Sequence, residues 1–163
     1  MHVITVRSAI AFDAPSMAKL LNAIIAQGGT TALTGTVSAA DLSEQMASND
    51  GRAAWHVAVT PSDDVVGFQW IYAADYLPAE AAEIATFVQI GQTGLGIGSK
   101  LFDATCMAAR ALGCTWINAN IRADNEGGLI YYQSRGFQDY GRIKDFELAD
   151  GTCVDKILKR HDL

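Results

Sequence analysis

The chain has 163 residues, half of them hydrophobic and 9% aromatic, which suits a single globular domain over 1–163 that needs no metal or disulfide staple. Its net charge of −6 argues against nucleic acid, which wants a basic face, and favours a cationic or neutral small substrate. No apolar run approaches the ~18 residues of a membrane span and no signal-peptide core opens the chain, so a cytoplasmic protein without a membrane partner is expected. The three cysteines, Cys106, Cys114 and Cys153, have no CxxC spacing and read as small hydrophobes in a reducing compartment, with no metal expected.

In chain order, His2 to Val6 reads as a short strand. Asp13 is expected to cap a helix with Pro15 in its first turn, and Met17, Leu20, Leu21, Ile24 and Ile25 give that helix one apolar face. Gln27 to Val37 reads as a loop. Ser38 begins a second helix through Ser48, with Asp41 three residues on as a relative of the capping box. Trp55 to Thr60 and Val65 to Tyr72 are strand-like around the turn Pro61 to Asp64. After an acidic connection, Glu83 to Ile90 is the next strand. Ile97 to Leu112 forms a long helix stopped by Gly113. Thr115 to Ile121 is a strand, and Glu126 to Arg135 a helix ended by Gly136. Two last strands lie near Phe137 to Leu148 and Cys153 to Leu158, around Asp150-Gly151. This order implies a mixed α/β sheet with helices on both faces.

The chemistry concentrates at Gln92-Thr93-Gly94-Leu95-Gly96-Ile97-Gly98-Ser99-Lys100, a strand that turns through alternating glycines into a helix. Bare glycines let backbone N–H groups converge on an anion, and the helix dipole adds to the attraction. The spacing excludes two common readings. Ser99 stands where GxGxxG needs its last glycine, and Gly98 is followed by Ser99 rather than the lysine of a Walker loop. Taken alone, the loop has a lesser reading as a tight strand-to-helix turn.

A second segment, Asn125 to Phe137, follows the strand Thr115 to Ile121. Together the two segments resemble the GCN5-related N-acetyltransferase (GNAT) superfamily, which has a [Q/R]xxGx[G/A] loop and an Asn-led helix with a tyrosine four residues before Gly-Phe. Gly96 and Gly98 match the loop, and Asn125, Tyr132, Gly136 and Phe137 match the helix. Two departures stand out. Thr93 replaces the usual Gln or Arg, and Gly127-Gly128 costs the helix roughly 2 kcal/mol in propensity.

The resemblance implies a mostly antiparallel central sheet and an enzyme moving an acetyl group from acetyl-CoA to a small-molecule primary amine by direct attack. It also implies a possible homodimer. Backbone groups of Thr93, Gly94, Leu95, Gly96, Ile97, Gly98 and Ser99 would hold the coenzyme A pyrophosphate. Val88 and Ile90 would offer main-chain groups to the pantetheine arm, and Asn125 would cap its helix and touch the cofactor. Lys100 and Arg135 are candidates for its phosphates, or solvated helix charges.

Tyr132 is the candidate for the leaving thiolate. A phenol near 10 and a thiol near 8.5 make full proton transfer uphill by roughly 2 kcal/mol, so hydrogen bonding to developing charge is the easier role. Tyr131 points elsewhere on the helix and reads as packing. An alkylamine is about a thousandth neutral at pH 7, a deficit of roughly 4 kcal/mol, so a base is expected. Glu83 is the first candidate, with Glu80, Asp75 and His56 behind it. Trp70, Tyr72 and Phe87 could line the acceptor pocket. A coenzyme A-binding regulatory module and a protein-amine acetyltransferase are the competing readings.

Overall fold

The computed structural model describes residues 3–48, 51–92 and 96–163. The expected order of elements is the observed one. Strand β1 (Thr5–Ser8) is followed by a 3-10 turn, α1 (Ala14–Gln27), α2 (Ala39–Ser48), β2 (Ala54–Val59), β3 (Val65–Tyr72) and β4 (Ala81–Val88). Then come α3 (Ile97–Ala111), β5 (Trp116–Arg122), α4 (Glu126–Ser134), β6 (Gln138–Glu147) and β7 (Cys153–Asp162). The strands form one sheet in the order β1-β2-β3-β4-β5-β7-β6. Every pairing is antiparallel except β4 with β5, which is parallel.

The sheet buries both faces. On one, α1 sets Met17, Leu20, Leu21 and Ile24 against Trp55, Val57, Val59 and Phe68. On the other, Phe102, Cys106 and Ala109 of α3 pack on Ile71, Ile84, Ile117 and Ala119, with Tyr132 and Phe137 beside them. Side chains alternate along β4, so Phe87 joins the α1 face and Ile84 the α3 face.

The local signals are realised in part. Ser38 and Asp41 form a reciprocal cap, each backbone N–H donating to the other's side chain at 3.0 Å. Gly113 and Gly136 end their helices at φ 84° and 91°, a conformation that glycine adopts without strain. Asp13 behaves otherwise. It precedes α1 but makes no side-chain cap, because its buried carboxylate accepts from the two terminal guanidinium nitrogens of Arg7, at 2.8 and 2.9 Å, and from the Ile10 amide at 2.9 Å.

Three strands shift by two or more residues at one end or both. β1 runs Thr5–Ser8 because Ser8 still pairs with His56; His2 lies outside the described residues. β4 begins at Ala81 rather than Glu83 and ends at Val88 rather than Ile90. Ala81 and Ala82 pair with Trp116 and Ile117, a tertiary contact that overrides alanine's weak strand preference. Ile90 falls in the turn beyond the strand, where the Gln92 amide donates to the Gln89 carbonyl at 3.0 Å. β7 continues to Asp162, because Leu158 through Asp162 pair with Asn120 through Trp116 on β5.

One topological feature creates the site. β4 and β5 pair over only three positions, Ala81 to Glu83 against Trp116 to Asn118. Beyond Glu83 the two strands part, and the edge of β4 from Ile84 to Val88 faces a gap instead of a neighbour.

Candidate active site

The gap opens into a cleft of about 1070 Å³. It is lined by residues of β3 and β4, the first turn of α3, the end of β5, α4, α1, α2 and the 28–37 loop, with Lys156 of β7. Of the predicted site residues, Glu83, Val88, Ile90, Ile97, Gly98, Asn125 and Tyr132 line it, as do Trp70, Tyr72 and Phe87. Thr93, Gly94 and Leu95 lie outside the described residues.

Gly96 takes the N-terminal cap position of α3 at φ 76° and offers no side-chain cap, so the first amides of the helix have no intrahelical partner. An anion at this end meets the N–H donors of the first turn and the positive end of the dipole. With the unpaired β4 edge alongside, the donor set suits a diphosphate followed by an amide-bearing arm, as in coenzyme A. Ile97 is 2% exposed, so its side chain belongs to the core and only its backbone is available. Ser99 and Gly96 are not among the residues lining the cleft.

Gly98 has a second reason to be glycine. A β-carbon there would stand 2.6 Å from Cε1 of Tyr131. Tyr131 is therefore more than packing: its hydroxyl donates to the Gly98 carbonyl at 2.7 Å and accepts from Nε2 of Gln69 at 3.0 Å. Burial pushes its phenol up to about 12.

Tyr132 is 7% exposed, and its hydroxyl lies 2.8 Å from Oγ1 of Thr86. Burial holds this phenol well above its ordinary value, with the Thr86 hydrogen bond opposing. The group is thus kept neutral and able to donate.

Asn125 caps α4, its Oδ1 accepting from the Gly128 amide at 3.0 Å while Nδ2 donates to the Thr30 carbonyl at 2.9 Å. A β-carbon on Gly128 would collide with this side chain. The glycine that weakens the helix gives room to its cap.

Glu83 is buried at 7% exposure, not solvated as a strand-start glutamate would be. Tyr76 donates to one carboxylate oxygen and Nδ2 of Asn118 to the other at 2.6 Å. Asn118 is held in turn by the hydroxyl of Tyr140. Burial pushes the Glu83 carboxyl up, against these hydrogen bonds and the charge of Lys156. Burial and the Glu83 charge push the Tyr72 phenol up to about 12. Tyr72, the register partner of Glu83, ends a stacked ladder with Trp70 and Trp55, with centroids 4.4 and 4.1 Å apart.

The remaining candidates go elsewhere. Asp75 and Glu80 are exposed and off the cleft. His56 pairs in register with Gln69, so it faces α3, and burial lowers its pKa. Lys100 donates to the Ile4 carbonyl at 3.0 Å, and Arg135 caps the far end of α4.

Sequence reasoning missed Gln69, Tyr76, Thr86, Asn118, Tyr140 and Lys156. A signal existed for one: Asn118 and Asn120 alternate with Ile117, Ala119 and Ile121, and asparagines at every second position of a buried strand call for polar partners. Among the described residues no cluster of His, Cys, Asp and Glu could hold a metal ion, and no helix is long and apolar enough to cross a membrane.

The family model of the acetyltransferase (GNAT) family matches residues 23–137. An L-methionine sulfoximine/L-methionine sulfone acetyltransferase of Pseudomonas paraeruginosa is 28% identical over 157 residues, 93% of this chain and 90% of that protein. Two crystal structures share the fold. A GNAT superfamily phosphinothricin acetyltransferase from Sinorhizobium meliloti, in complex with acetyl-CoA, superposes with a TM-score of 0.87 at 21% identity, over 98% of this chain and 88% of that one. A ribosomal-protein-alanine N-acetyltransferase from Brucella melitensis gives 0.88 at 21%, over 98% and 99%. The chain belongs to the acetyltransferase (GNAT) family and is an acetyl-CoA-dependent acetyltransferase.

Proposed function

We propose that this enzyme acetylates the primary amine of a small, amino-acid-like molecule by direct attack on the thioester. The observation that carries the reading is the convergence on one cleft of the α3 N-terminus, the unpaired β4 edge, the Tyr132 phenol and the buried Glu83 carboxylate. The named substrates of the similar Pseudomonas protein are amino acids of this size.

Acetyl-CoA supplies the activated acetyl group. The amides of Ile97 and Gly98, at the N-terminus of α3, hold its diphosphate, and main-chain groups at Val88 and Ile90 orient the arm as an added strand would. Tyr132 presents its proton where negative charge collects on sulfur. Glu83 removes the amine proton through a water molecule, its raised basicity lessening the mismatch with an alkylamine. Trp70 and Tyr72 exclude water around the acceptor.

The test is thiol release from acetyl-CoA across a panel of L-methionine sulfone, aliphatic amines, aromatic amines and a peptide with N-terminal alanine. Release with at least one small amine and none with the peptide is expected. A rise in melting temperature with acetyl-CoA but no release from any amine would make the protein a binder. Release from the peptide alone would move the acceptor to protein.

A further inference from the structure

Two hydroxyls that share one hydrogen bond must settle which gives the proton. For Thr86 and Tyr132, 2.8 Å apart, either could donate. Their neighbours decide it.

The chain of bonds starts at the Gly98 carbonyl, which has no proton, so the Tyr131 hydroxyl at 2.7 Å donates to it. With that proton committed, Tyr131 can only accept from Gln69, and the amide end of Gln69 that faces it must be the NH₂ group. Nε2 sits 3.0 Å from Tyr131 and 2.9 Å from Thr86 Oγ1, so its two protons serve both hydroxyls. Gln69 is fully buried, and its Oε1 has no partner among the described residues; the arrangement is kept at that cost. Thr86 accepts from Gln69 and retains its own proton. Among the described residues, Tyr132 is the one acceptor within its reach. Tyr132 thereby accepts, and its own proton is left for the cleft that it lines.

We propose that Gln69 and Thr86 are positioning residues, directing the bond chain Gln69 to Thr86 to Tyr132 so that the Tyr132 phenol gives its proton to the coenzyme A sulfur. The inference rests on the reading of Tyr132 as the sulfur's partner. Two physical effects follow. Accepting a bond polarises the phenol and makes it a better donor, and the rotor is held in the one orientation that serves the sulfur. The chain is rooted in the first turn of α3, so the helix that carries the phosphate site also orients the group at the thioester.

The experiment uses coenzyme A alone, so it needs no acceptor amine. The acidity of the bound thiol is read from thiolate absorbance, as a difference against the desulfo-coenzyme A complex. Tyr132→Phe and Thr86→Val should each weaken that acidity about tenfold, with coenzyme A affinity within about twofold of wild type. Thr86→Ser, which keeps the hydroxyl, should match wild type. Thr86→Val in a Tyr132→Phe background should add nothing. Should Thr86→Val lose its fold, Gln69→Met breaks the chain one link earlier and should shift acidity in the same direction. If Tyr132 instead donates to Thr86, removing Thr86 frees the phenol, and Thr86→Val leaves the thiol as acidic or more so. That result, with Tyr132→Phe still weakened, overturns the directed chain and leaves the Tyr132 reading standing. A wild-type thiol in Tyr132→Phe overturns both.

Discussion

The ring of Tyr131 occupies the space that a β-carbon on Gly98 would need, 2.6 Å from its Cε1. The contact joins α4 to the first turn of α3, and two hydrogen bonds hold the ring there. A glycine that invites explanation by anion binding alone is thus also a packing requirement.

Gly98→Ala sets two effects against each other. Alanine gains about 1 kcal/mol in helix propensity, while overpacking costs about 1–3 kcal/mol. Because Tyr131 is pinned at its hydroxyl, the clash should win, with a net loss of about 1 kcal/mol in urea unfolding. Equal or greater stability would mean that the ring swings aside freely.

Glu83→Gln should lower kcat by about 10²-fold or more and leave the KM for acetyl-CoA near wild type. Burial raises the Glu83 carboxyl in the folded protein, so the folded state holds this proton more tightly than the unfolded chain. Ionised Glu83 therefore costs stability above its raised folded value, and the cost is relieved as pH falls toward the ordinary carboxylate range. Glu83→Gln should melt no lower than wild type at neutral pH, and its advantage should shrink on acidification. A marked loss of stability at neutral pH would show that the ionised form is favoured in place. In the wild-type rate profile, the acidic limb should fall above the usual glutamate range.

Tyr132→Phe should reduce kcat by about 10²-fold and change acetyl-CoA affinity little, because the phenol acts on charge that develops at sulfur. Steady-state kinetics with the best amine of the panel, beside equilibrium binding of acetyl-CoA, separates the two. An unchanged kcat would remove Tyr132 from the chemistry.

Asn125→Ala removes a cap bond to the Gly128 amide and the tie to the Thr30 carbonyl. A loss of about 1 kcal/mol is expected, together with a raised KM for acetyl-CoA as the 28–37 loop is released from α4. Thermal melting and cofactor titration check the pair. A change in stability with an unaltered KM would confine Asn125 to capping.

Where a local rule was strong, the chain was legible before folding. The Ser38–Asp41 cap, the stops at Gly113 and Gly136, and the Asn125 start of α4 each rest on residues no more than a few positions apart. The start of β4 was not legible, since Ala81 and Ala82 become strand only through Trp116 and Ile117. Nor was the burial of Glu83. Alternation puts it on a face with Phe87 but says nothing of what covers that face, and one of its partners, Asn118, lies 35 residues away. Asp13 shows the converse: a residue well placed to cap α1 gives its carboxylate to Arg7.

By itself, the sequence determined the order of elements and the helix starts and stops at Ser38, Gly113, Asn125 and Gly136. These follow from backbone preferences and short-range hydrogen bonds, which neighbouring residues specify. Only the tertiary structure decided that β4 and β5 part after Glu83, that Thr86 meets Tyr132 across 46 residues, and that Gly98 lies beneath Tyr131. Those relations depend on how buried faces pack and where buried polar groups find partners, and both are properties of the whole sheet.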